Sequence, residues 1–145
     1  MNIVVLVKQV PDSGSERKLD AADNTVARAA ADNVVNEIDE YAIEEALVVK
    51  EATGGEVTVL TVGPDSATDA IRKALSMGAD KAVHVSDEAI KGSDAVQISA
   101  VLAAALGQLE YDIVICGAEA TDSQMSVMPA PVSYTHLTLP TILRV

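Results

Sequence analysis

At 145 residues the chain has room for one domain with a substantial core, and its length argues against a second. Twenty-two acidic against 10 basic residues give a formal net charge of -12, which repels a nucleic-acid backbone and an anionic membrane surface. With no Trp, no Phe and 3 Tyr, the core must be aliphatic, and the 1 Cys cannot form an internal disulfide, which fits a reducing compartment. The opening run NIVVLV is too short for a signal segment and no apolar run reaches membrane-spanning length, so a soluble cytoplasmic protein without membrane insertion is expected.

Asn2 to Val7 is a β-branched run of the kind buried on both faces of a parallel sheet, ended by Pro11. Lys8 stands near its carboxyl end, where open α/β sheets bind ligands, although an ordinary surface lysine is the simpler reading. Residues 12–33 are polar, with weak alternation around Leu19 and Val26 that suggests a hairpin on the sheet edge. Ile38, Tyr41, Ala42, Ala46, Val49 and Ala52 recur at helical spacing and stop at Gly54-Gly55. Asn36 just before them is an N-cap, a nucleotide contact, or both.

Glu56 to Val62 reads as a second strand closed by Gly63-Pro64, followed by a helix bearing Ala67, Ala70, Ile71, Ala74 and Leu75 and ending at Gly78. Lys81 to Ser86 is a third strand, with His84 on one of its faces and no partner at metal-ligand spacing. Ser93 is the expected N-cap of a helix from Asp94 to about Leu109, which is apolar nearly all round and needs cover on both sides. Tyr111 to Cys116 is a fourth strand, Gly117 to Asp122 a turn, and Ser123 the expected start of a further helix. A helix N-terminus there, with roughly half a positive charge, would hold a nucleotide phosphate without any Lys or Arg.

The segment from Val132 to Val145 carries no helical period and contains Pro140, and part of it matches the translation of a common sequencing adapter. Residues 132–145 are therefore expected to be a non-native, poorly packed tail behind a nucleotide-binding α/β domain at 1–131. Strands alternating with helices predict a three-layer, Rossmann-like parallel sheet, and a strand order 3-2-1-4 would set the first and fourth strands side by side at a topological switch point. The crevice there would be bounded by Lys8 to Asp12 and Gly117 to Ser123, with Val62-Gly63 as the neighbouring wall. There is no GxGxxG after the first strand, no P-loop and no Ser-His-Asp or Cys-His set, so binding is a better reading than catalysis. Cys116 reads as a packed thiol.

Four ordered segments, NIVVLVKQVPD, NEIDEYAIEEAL, TVGPDSATDAIRKALSMGADKAVHV and DIVICGAEATDSQ, resemble the β subunit of electron transfer flavoprotein, the FixA family, over about residues 1–131. The resemblance implies an adenine nucleotide alpha hydrolase-like fold and a non-catalytic AMP in this subunit. It also implies an α subunit holding most of the FAD, and electron relay from flavin dehydrogenases, such as acyl-CoA dehydrogenases, to a downstream acceptor. By position, the family's AMP contacts fall on Leu6; on Asn36, Glu37, Ile38 and Asp39; and on Val62. They continue over the loop as Ala118, Glu119, Ala120, Thr121, Asp122, Ser123, Gln124, Met125 and Ser126. Family members continue well past this point, with segments that embrace the α subunit. The competing readings are an ATP-binding stress-type protein or ATP-dependent enzyme on a related scaffold, and an interaction domain using the apolar helix after Asp94.

Overall fold

The computed structural model describes residues 1–136 apart from 17 and 23. Strand β1 (Ile3–Leu6) is followed by β2 (Gln9–Pro11) and, after a long excursion, by β3 (Asn33–Val35) and helix α1 (Glu37–Thr53). Then come β4 (Val57–Val62), α2 (Thr68–Met77), β5 (Lys81–Val85), α3 (Ala95–Leu106), β6 (Ile113–Cys116) and α4 (Pro129–His136). The main sheet runs β5-β4-β1-β6 with every pairing parallel, and Val5 stands opposite both Val59 and Ile115. For the four principal strands this is the 3-2-1-4 order; β2 and β3, outside that count, form a separate antiparallel pair.

Period-two alternation divides β1 between two cores. Ile3, Val5 and Val7 join Val57 and Val59 beneath α1 and α2, which contribute Ala42, Ile43, Ala46, Ala70 and Ala74. Val4 and Leu6 face the other way and meet Leu60, Leu102, Leu106 and Val132, from β4, α3 and α4. In a chain without Phe or Trp, alanines bring the first pair of helices close to the sheet so that branched aliphatics fill the gap. The first helix stops at Gly54, whose φ of 72° suits glycine and whose N–H donates to the Lys50 carbonyl.

The excursion between β2 and β3 turns back on itself through an antiparallel bridge between Leu19 and Val26, as the weak alternation suggested. The helix α3 is capped by Asp94 rather than Ser93: its carboxylate accepts from the Gln97 N–H while the Gln97 side chain accepts from the Asp94 N–H. This capping box needs an acceptor three residues before Gln97, a position Ser93 does not hold.

One expectation at the C-terminal end meets a different arrangement. No helix starts at Ser123. Residues 121–123 form a turn, with the Ser123 and Gln124 amides donating to the Ala120 carbonyl, and φ is positive at Gln124 (48°) and Ser126 (51°). Left-handed residues cannot continue a helix, so the helix begins six residues later at Pro129, a residue suited to the first helical position. That helix also runs across the boundary expected after Pro131. Val132 is buried at 5 % exposure against Leu102 and Leu106, whereas Tyr134 is exposed at 81 %. The rest of the expected tail, 137–145, lies outside the described residues.

Candidate functional site

The strands β1 and β6 lie side by side, and the helix reached from each packs on opposite faces of the sheet: α1 on one, α4 on the other. A crevice opens at their carboxyl ends, as the doubly-wound arrangement requires. Three side chains knit its rim together.

Asp39, in the first turn of α1, is buried at 6 % exposure and accepts a 2.8 Å hydrogen bond from the Lys8 amide. The Gly117 amide also donates to it, so one carboxylate ties the end of β1 to the end of β6. Burial raises its pKa to about 6, against the opposing pull of hydrogen bonds from Asn36, Lys8 and Gly117 and of the Lys8 charge. Gly117 has to be glycine here, because a Cβ would stand 2.4 Å from Asp39 Oδ1 and 3.0 Å from Ile38 Cγ2.

Asn36 occupies the N-cap position of α1 but its side chain makes no capping bond. At 1 % exposure, it instead reaches across to the loop after β6, donating from Nδ2 to the Glu119 carbonyl (2.8 Å) and accepting at Oδ1 from the Thr121 amide (3.1 Å). A side chain that could have served the helix therefore shapes the loop.

Asp122 is enclosed completely, with 0 % side-chain exposure, and is held by two cations: Lys8 Nζ at 2.7 Å and Arg28 Nη2 at 2.8 Å, with Arg28 Nε at 3.1 Å. Burial on its own would push the Asp122 carboxyl up, but the hydrogen bonds and charges of Lys8 and Arg28 outweigh it and hold the pKa below its ordinary value. Arg28 comes from a single helical turn, Arg28–Ala30, on the excursion. Nothing in the local pattern of residues 12–33 marks it out; only its meeting with Asp122 does.

Lys8, Arg28, Asn36, Asp39 and Gly117 border a cavity of about 440 Å³. Of the residues carried over from the family resemblance, Leu6, Asn36, Asp39, Val62, Ala118, Glu119, Ala120, Ser123, Met125 and Ser126 line it. Glu37, Ile38, Thr121, Asp122 and Gln124 are not on its wall. Glu37 is exposed and accepts from Ser13 Oγ, Ile38 supports Gly117 from below, and Thr121 and Asp122 act through Asn36 and the two cations. Sequence reasoning missed Arg28 and the start of α3, where Ala95, Ile98 and Leu102 complete the apolar wall. The helical stripe after Asp94 carried that signal, since its excess of apolar residues needed something to face.

A second hollow of about 380 Å³ lies between β6, α3 and α4, and shares Leu6 and Cys116 with the first. The Cys116 thiol is pushed above its usual pKa by burial and by the Asp39 charge, which keeps it protonated and unreactive near neutrality. No helix among the described residues is long and apolar enough to cross a membrane.

Residues 23–131 match the electron transfer flavoprotein domain. The chain is 54 % identical to an electron transfer flavoprotein subunit beta of Mycobacterium leprae, over 96 % of this chain and 54 % of that protein. It is 41 % identical to the subunit of the same name from Clostridium acetobutylicum, over 98 % of this chain and 54 % of that one. It is also 42 % identical to protein FixA of Azorhizobium caulinodans, over 84 % and 45 % of the respective lengths. The chain thus spans about half the length of the curated relatives it matches. A parallel sheet in the expected order, a crevice at its switch point and this agreement along the domain place the chain in the electron transfer flavoprotein family.

Proposed function

We propose that this chain is the nucleotide-binding part of an electron transfer flavoprotein β subunit, that it holds AMP as a structural ligand in the 440 Å³ cavity, and that it works in the cytoplasm as a carrier component rather than as an enzyme. In the complete protein it pairs with an α subunit that holds FAD, and electrons pass from flavin dehydrogenases, such as acyl-CoA dehydrogenases, to a downstream acceptor. FAD supplies the redox chemistry; AMP supplies none.

The observation that carries the reading is the convergence of the early turn at Lys8 and the late loop at 117–126 on one cavity, fastened by Asp39, Asn36 and Asp122. The residues present suit a mononucleotide. The volume falls within the roughly 300 to 1,000 Å³ of small-molecule sites, and such sites pair apolar walls with a few placed polar groups. Leu6, Leu60, Val62, Ile98 and Leu102 offer an apolar wall to a base, and Lys8 and Arg28 offer donors to the polar end.

Titration calorimetry of the 145-residue protein with AMP, FAD, and ATP with and without magnesium tests it. AMP binding without a metal requirement is expected. Magnesium-dependent ATP binding in its place would favour an ATP-binding protein on the same scaffold, and no response to any nucleotide would overturn the proposal.

A further inference from the structure

Charge is spread unevenly over the outside of the molecule. On one side of the main sheet, α1 turns Glu37, Glu44, Glu45 and Glu51 to solvent, and α2 adds Asp69, Arg72 and Lys73. On the other side, α3 contains no Asp, Glu, Lys or Arg, and neither does the stretch from Ser123 to the end of α4 at His136. A chain with a net charge of -12 thus has one helical layer free of those charges.

The same layer is apolar on its outside. Val96, Met125, Val127 and Tyr134 are exposed there at 42 % to 81 %, the kind of surface that marks an interface. The exposed Ala100 and Ala104 follow Val96 on one side of α3 at helical spacing, and side chains this short let a second helix come close. Two charges bracket that side: Lys91 before α3 and Glu110 after it. Both are exposed, and neither makes an ion pair among the described residues.

We propose that the outer side of α3 is the contact between two copies of this chain, related by a two-fold axis that sets their α3 helices antiparallel. Repulsion between two bodies of like charge is least where neither presents a charge, which selects this face over the glutamate-lined outside of α1. The alignment follows from the bracketing charges. A two-fold contact that brings one residue to a second also brings the second to the first, so Lys91 of each copy meets Glu110 of the other; parallel helices would set Lys91 against Lys91 and Glu110 against Glu110. The nearby Asp94 carboxylate is already engaged by the Gln97 amide. Ala100 and Ala104 lie off the cavity wall, so this inference is independent of the nucleotide reading.

Analytical ultracentrifugation of the 145-residue protein over a range of concentrations tests it. A reversible equilibrium between the monomer and a species of twice its mass is expected. Ala100→Glu keeps a good helix former at an exposed position but sets two carboxylates near the two-fold axis, and should weaken association by about 30-fold or more. Lys91→Glu and Glu110→Lys should each weaken it by about 10-fold. The second is the sharper of the two, because it lowers the net charge and would strengthen association if general repulsion alone were at work. Both substitutions in one chain exchange the bracketing charges and should restore association to within about 3-fold of the unaltered protein. Val48→Glu, on the outside of α1, should leave it unchanged. A protein that stays monomeric up to about 1 mM overturns the proposal. So does a dimer that Ala100→Glu leaves intact, or one that the double substitution fails to restore.

Discussion

The two faces of the main sheet are built from the same kind of residue and reach opposite ends. Under α1 and α2, Ile3, Val5, Ile43, Ala46, Val57, Val59 and Ala74 are all at 1 % exposure or less. Under α3 and α4, Val4, Leu60 and Leu106 are buried, but Val62, Val83, Ile98, Val114 and Cys116 are only partly so, and both cavities open on this side. The difference lies in the helices. α1 and α2 each turn alanines to the sheet and can settle onto it, whereas α3 shares its face with an eight-residue helix and an irregular loop that leave space behind. One face is the more closely packed scaffold, and the other keeps two hollows.

The sharpest way to break this division is to remove the same atoms from each face. Ile43→Ala should destabilise the fold by about 4 kcal/mol, because its surroundings at 0 % exposure have no room to collapse. Ile98→Ala borders existing empty space and should lose only about 1 kcal/mol, with its larger effect on AMP affinity. Urea unfolding of both variants, with and without AMP, would show it; equal losses would mean that the two faces share one kind of packing.

The faces meet at Asp39, which sits on a scaffold helix and lines the cavity. Its folded pKa of about 6 lies above its unfolded value of 3.8, so the native state binds the proton more tightly. Stability from this group is therefore fully present below about pH 4, is lost as the pH rises through 6, and is flat above; two pH units correspond to about 3 kcal/mol. Asp39→Asn should abolish that fall in stability between pH 4 and 6, with its gain near neutrality offset because an amide puts an NH2 donor where the carboxylate has its second acceptor oxygen. Asp122 has the opposite sign: its depressed pKa contributes stability at neutral pH that disappears only as the pH falls through the acid range below 3.8. Chemical denaturation across pH 3 to 8, taking roughly one-unit steps, separates the two windows.

Most of the scaffold face was legible in the sequence because its signals are local. VTVLTV reads as a strand and forms one over Val57–Val62, and the apolar spacing from Ile38 with its glycine stop produces α1. The hollow face was less legible because its shape comes from contacts between distant residues. Ser123 to Pro129 has no hydrophobic period, and its path is set by Asn36 gripping Glu119 and Thr121 and by Lys8 and Arg28 holding Asp122, across 83 to 114 positions of chain. No periodicity encodes such a bond. Arg28 went unnoticed for that reason, and the expected helix at Ser123 failed for it.

Two smaller substitutions test whether those long-range bonds, rather than the loop's own preferences, keep the hollow face open. Gly117→Ala forces a methyl group against the Asp39 carboxylate and Ile38, and should lose about 2 kcal/mol of stability together with nucleotide binding. Thermal unfolding and calorimetry would report it.

Asn36→Ala should lose about 1 to 2 kcal/mol of stability, for it removes the two hydrogen bonds that a side chain at 1 % exposure makes to the loop, at the Glu119 carbonyl and the Thr121 amide. Where the loss appears is more telling than its size. Because the Asn36 side chain makes no capping bond to the backbone of its own helix, the first-turn amides of α1 should exchange with solvent as slowly as before. The loop at 118–123, released from the helix start, should exchange faster, and AMP should bind more weakly by a similar 1 to 3 kcal/mol. Faster exchange confined to Glu37, Asp39 and Glu40 would make Asn36 an ordinary helix cap, and the hollow face would then owe its shape to the loop itself.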